Sequence, residues 1–77
     1  MKLIKQWYSK YDELNFIIKN EYDEMLISFI FEENEIYINH LNEAYELTAH
    51  QENEAIEFIK NQINSITVKN LIEKHYR

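Results

Sequence analysis

The chain predicts an α+β fold: a small antiparallel sheet of three or four strands, packed by an N-terminal helix and one or two C-terminal helices. Two observations carry this. Apolar residues alternate with period two from Glu13 into the thirties, whereas both ends of the chain space them at three and four. The strand-like segments also follow one another across short turns, as in a sheet covered by helices on one face. An all-helical bundle would need residues 14–31 in a helix. The shift to period two and the β-branched and aromatic content of residues 25–31 oppose that.

Residues 2–11 predict a helix, because Leu3, Ile4, Trp7, Tyr8 and Tyr11 fall on one stripe and Lys2, Lys5, Gln6, Ser9 and Lys10 on the other face. Leu14, Phe16 and Ile18 then alternate with Asn15, Ile17 and Lys19, as in a strand with one buried face. Residues 21–23 predict a turn. The segment Met25 to Phe31 is nearly all apolar, which predicts an inner strand covered on both sides. Glu33-Asn34 suits a tight hairpin turn, and Ile36 and Ile38 alternate with Glu35, Tyr37 and Asn39 in a third strand.

Residues 41–49 read two ways. Tyr45 and Leu47, flanked by Glu46 and Thr48, fit a short fourth strand; Leu41, Ala44, Tyr45 and Thr48 fit a helical turn; the strand is favoured. Residues 51–64 predict a helix through Ala55, Ile56, Ile59, Ile63 and Ile66, with Gln51, Glu52 and Glu54 where negative charge suits a helix N-terminus. Thr67 is placed to cap a last short helix bearing Val68, Leu71, Ile72 and His75.

At 77 residues the chain is expected to form a single domain, residues 1–77. A domain this small buries only ~60% of its unfolded surface, so its 45% hydrophobic content must pack efficiently. With no Cys, disulfides and thiolate metal sites are excluded. With no Gly, so are P-loops and Gly-rich dinucleotide turns, and Asn or Asp must supply left-handed turn positions; Asn20, Asp23, Asn34, Asn39 and Asn42 are the candidates. No signal peptide or membrane span is expected, which points to the cytoplasm. The Asn, Ile, Lys, Glu and Tyr richness suits an AT-rich genome such as that of a low-GC bacterium or its phage.

Charge is segregated. Between Asn20 and Ile59 stand eleven acids and no Lys or Arg: Glu21, Asp23, Glu24, Glu32, Glu33, Glu35, Glu43, Glu46, Glu52, Glu54 and Glu57. All eight basic residues lie outside that window, and the net charge is −6. Such a field disfavours direct nucleic-acid binding and favours a basic protein partner. The plain reading of the same residues is a solvated face.

No catalytic set stands out. His40, His50 and His75 lie far apart, without the one-turn spacing of paired metal ligands. Ser9, Ser28, Ser65, Thr48 and Thr67 lack a strained nucleophile turn. A chain of this size leaves little room for a pocket of ~300 Å³. No enzyme activity, metal or cofactor is expected.

The functional reading is nucleic-acid mimicry, in which carboxylates held on a rigid surface stand where phosphates would. The contacting residues expected are Glu32, Glu33, Glu35, Glu54 and Glu57, with Tyr37 as an aromatic anchor. Asn34-Glu35-Ile36-Tyr37-Ile38, followed by Asn53-Glu54-Ala55-Ile56-Glu57-Phe58-Ile59-Lys60, gives a strand ending in polar residues and then an acidic amphipathic helix. With the order of elements, these segments resemble small acidic phage inhibitors, including anti-CRISPR proteins that block RNA-guided nucleases. The resemblance implies occupation of a basic nucleic-acid site on the target. Two alternatives stand beside it: an antitoxin or immunity protein neutralising a basic toxin, and a module that self-associates, as a homodimer for example, through its sheet edge and terminal helices.

Overall fold

The computed structural model describes residues 1–10 and 12–76. Four strands form one antiparallel sheet in the order β1 (Lys2–Ser9), β2 (Glu13–Lys19), β3 (Glu24–Ile30) and β4 (Glu35–His40). Two helices follow, α1 (Ala49–Gln62) and α2 (Ile66–His75). The expected α+β architecture is present, but both helices are C-terminal. No helix among the described residues is long and apolar enough to cross a membrane.

The N-terminal helix expectation is corrected: residues 2–9 pair with β2 as an edge strand. The reason is a β-bulge between Leu3 and Lys5. The extra residue accounts for Leu3-Ile4, whereas Trp7 and Tyr8 stand on opposite faces of the strand beside Asn15 and Leu14, so apolar pairs fall four residues apart. That spacing imitates a helical stripe. Tyr11, the last residue of the expected stripe, lies outside the described residues.

Register decides what each side of the sheet carries. Leu14, Phe16 and Ile18 pair with Phe29, Ile27 and Met25, and Ile27 and Phe29 pair onward with Ile38 and Ile36. This side is covered by Ala55, Ile56 and Ile59 of α1 and Val68, Leu71 and Ile72 of α2, and together they form one buried cluster. Phe16 and Phe29 meet edge to face at 5.7 Å inside it, a favoured aromatic geometry. The helix layer stops short of β1, where Gln6 and Tyr8 stay exposed.

The inner-strand expectation for Met25 to Phe31 holds for position and fails for covering. β3 lies inside the sheet, yet only Met25, Ile27 and Phe29 are buried. Leu26, Ser28 and Ile30 lie on the other side, over which no helix packs.

Without Gly, the left-handed positions among the described residues fall to Asp12 (φ 63°) and Asn34 (φ 55°). Asn34 was legible in the sequence; Asp12 was not. Asn20 builds the turn before β3 by accepting the N–H groups of Tyr22 and Asp23 at 2.8 and 2.7 Å.

Residues 41–48 are neither strand nor helix, which corrects the favoured fourth-strand reading of 41–49. The fourth strand of the sheet is instead β1. After Leu41, whose N–H reaches Glu24 O at 2.9 Å, the chain turns on Asn42. Thr48 caps α1 with a full capping box: its hydroxyl accepts the Gln51 N–H, and the Gln51 side chain accepts the Thr48 N–H. The cap of α2 is Ser65, whose hydroxyl accepts the Val68 N–H, rather than Thr67. Thr67 lies two residues farther along, already inside the helix.

Candidate protein-binding surface

The uncovered side of the sheet is built in four rows by strand register. From one end they run Lys2–Lys19–Glu24, Lys5–Ile17–Leu26–Asn39, Trp7–Asn15–Ser28–Tyr37 and Ser9–Glu13–Ile30–Glu35. Antiparallel sheets often leave one face to water, and that face is then polar. This one is mixed. Trp7, Ile17, Leu26 and Ile30 are half-buried by their neighbours, and Tyr37 is 47% exposed.

A polar seam crosses the middle of the face. Ser28 Oγ donates to Asn15 Oδ1 at 2.6 Å, Asn15 Nδ2 donates to Ser9 Oγ at 3.1 Å, and Ser9 Oγ donates to Glu13 Oε2 at 2.8 Å. Asn15 is only 6% exposed although no helix covers it, because side chains on either side shield it. Its amide is thereby satisfied at both ends, as a buried polar group requires. The Lys5 ammonium sits 4.9 Å from the Trp7 ring centroid, a cation–π contact that shields the ring.

The sequence-predicted contact residues divide into two groups. Glu32 and Glu33 lie in the β3–β4 turn, and Glu35 and Tyr37 share the open face of β4. Glu54 and Glu57 are exposed on α1, whose buried side is turned to the opposite face of the sheet. The sheet therefore separates Glu54 and Glu57 from the hairpin residues, and one flat partner surface does not meet both. Glu54 is also engaged locally, with Oε1 2.7 Å from His50 Nε2 one helical turn away. The hairpin is tied to α2 by His75, whose Nε2 donates to the Asn34 carbonyl at 2.7 Å.

Sequence reasoning missed a second polar centre, between the β2–β3 turn and the end of β4. His40 Nε2 lies 2.8 Å from Asp23 Oδ1, and the His40 side chain is 8% exposed. The Asn42 N–H donates to His40 Nδ1 at 2.9 Å, which makes Nε2 the donor to the carboxylate. The Asn42 carbonyl stands 3.1 Å from the same Nδ1 and would accept from the protonated ring. Gln51 Nε2 donates to Asp23 Oδ2 at 3.3 Å, and Tyr45 packs on the imidazole at 5.3 Å. The pair is seventeen residues apart, a separation that no local spacing rule reads.

An open groove of about 700 Å³ adjoins this centre, lined by Leu26, Ile38, Tyr45 and Leu47 with Glu43 and Glu52 among its carboxylates. His40 serves structure here, since both ring nitrogens are already engaged. Among the described residues, no three His, Asp or Glu side chains converge to hold a metal ion. Burial raises the Tyr76 phenol above its ordinary value of 10.0, and the Glu52 charge adds to the rise.

No protein-family model, curated protein or solved structure matches this chain, so its surface is read from its own geometry.

Proposed function

We propose that the protein is a small acidic inhibitor that binds a nucleic-acid-binding protein, in the manner of blockers of RNA-guided nucleases, and occupies its basic nucleic-acid site. The observation that carries this reading is uncompensated charge. Among the described residues the only ion pairs involve histidine, Asp23 with His40 and Glu54 with His50. Glu32, Glu33 and Glu35 are exposed, and none of the described Lys residues is in pairing range of them. Carboxylates left free in this way project a field that a Lys/Arg groove attracts, as it attracts phosphates. Tyr37, on the same face as Glu35, offers apolar contact area at low entropy cost.

Of the two acidic groups, the hairpin set is the proposed contact surface. Its backbone is fixed by the Asn34 turn and the His75 tether, so little ordering entropy is lost on binding. Glu54 and Glu57 contribute to the general field from the other side of the molecule.

The test is capture from bacterial lysate on the immobilised protein, with and without excess duplex DNA. Capture of a nucleic-acid-binding protein that DNA displaces, and that Glu33→Lys/Glu35→Lys loses, supports the reading. Capture that neither DNA nor the reversals affect overturns it, as does failure to capture any nucleic-acid-binding protein.

A further inference from the structure

The open sheet face carries both signs of charge at opposite corners. Lys2, Lys5 and Lys19 occupy the corner where β1 begins and β2 ends. Glu35 occupies the diagonally opposite corner, where β4 begins, with Glu32 and Glu33 in the adjoining turn. None of these lysines pairs with a carboxylate among the described residues, and Glu32, Glu33 and Glu35 have no cationic partner there. Between the corners lie Trp7, Ile17, Leu26 and Tyr37. A face built only for water would not carry that apolar centre, and a face built only for a basic partner would not carry the lysines.

We infer that this face docks on the same face of a second copy of the chain. A surface with opposite charges at opposite corners is complementary to itself under a two-fold axis along the other diagonal. That axis lays Lys2 of each copy over Glu35 of the other and brings Leu26 against its own symmetry mate. The strands of the two sheets then cross near a right angle, one of the two packing classes open to stacked sheets. The dimensions allow it. Strands ~4.8 Å apart and rising ~3.4 Å per residue make the four-row face about 14 by 20 Å, close enough to square to be turned on itself. A two-fold axis perpendicular to the strands would instead stack β1 on β1, laying Lys2 over Ser9 and Lys5 over Trp7 of the other copy and leaving Glu35 away from the lysines.

The footprint is small, so the dimer is a weak one that assembles at micromolar concentration. The lysine corner acts in it as a stand-in for a basic partner. The inference does not rest on the proposed inhibitor function. The two are linked only in that a basic target and a second copy compete for Glu35 and Tyr37.

The experiment is sedimentation velocity on the purified protein alone, from about 1 to 300 µM to bracket a weak dimer. The expected result is a monomer–dimer equilibrium. Lys2→Glu and Glu35→Lys each weaken it by about tenfold, and the double exchange restores it. Both residues are exposed, so circular dichroism of each variant should match the parent. The chain has no Cys, so Leu26→Cys gives an independent reading: a bis-maleimide whose spacer matches sheets packed ~10 Å apart should cross-link the dimer. A strict monomer across the range overturns the inference. So does a dimer indifferent to both reversals, or one in which Leu26→Cys does not cross-link. None of these outcomes bears on whether a nucleic-acid-binding target is captured, so the two readings fail separately.

Discussion

Asp23 and His40 meet at 2.8 Å, and the other oxygen of the same carboxylate accepts from Gln51 at 3.3 Å. One side chain thus ties the turn before β3 to the end of β4 and to the first turn of α1. Gln51 is also half of the capping box, so the start of α1 and its position on the sheet are set by the same residue. A charge-assisted bond to a nearly buried ring is worth about 1.5–3 kcal/mol. Asp23→Ala is expected to lower stability by about that amount in urea unfolding. Asp23→Asn should cost less, because its carbonyl still accepts from His40 while its amide cannot accept from Gln51.

Truncation in the core should come close to unfolding the protein. Phe29 is fully buried against Phe16 and pairs with Leu14 and Ile36. Phe29→Ala is expected to cost about 3–5 kcal/mol, against a total of roughly 4–12 kcal/mol for a chain of this length. The check is loss of a cooperative thermal transition in calorimetry.

The uncompensated carboxylates should make stability salt-dependent. Like charges in the acidic window repel, and added salt screens them. Raising NaCl from about 0.02 to 0.3 M, which shortens the screening length to below 10 Å, should raise the melting temperature. Glu33→Lys should raise it at low salt and shrink the response.

Tyr76 gives the pH signature. Its phenol is held above the ordinary value of 10.0 by burial and then by the Glu52 charge. A raised folded-state pKa means that the folded chain holds the proton when the unfolded chain has lost it. The stability it contributes is therefore full below about pH 10 and is lost as pH climbs through the folded-state value. Tyr76→Phe should flatten that part of the profile; the difference between the two unfolding curves isolates it from the titrating lysines.

The His75 tether should show in local dynamics. An exposed hydrogen bond contributes about 0.5–1 kcal/mol, too little to change the fold. His75→Ala is expected to speed amide exchange at residues 33–35 while the core amides of β2 and β3 keep their protection.

Much of the architecture was legible along the chain. Leu14 to Ile18 and Glu35 to Asn39 alternate as strands because each buries one side only. Ala55, Ile56 and Ile59 mark α1, and Asn34 takes the left-handed position that a chain without Gly must give to Asn or Asp. The candidate site was legible in part: Glu32, Glu33, Glu35 and Tyr37 do lie along one hairpin. Glu54 and Glu57 were grouped with them on charge alone, and charge does not say which side of a sheet a helix will cover.

What the sequence by itself determined is whatever rests on local periodicity and composition: three of the four strands, both C-terminal helices, and a charge segregated to the middle of the chain. Tertiary structure decided the rest. It made residues 2–9 a strand, because pairing with β2 satisfies their backbone and a bulge absorbs the broken period. It left Leu26 and Ile30 on an uncovered face, because two short helices span only one side of a four-stranded sheet. It joined Asp23 to His40 across seventeen residues, because antiparallel register brings the end of β4 back beside the start of β3. Side-chain direction within an element is set by its own dihedrals, whereas which direction meets another layer is set only when the layers pack.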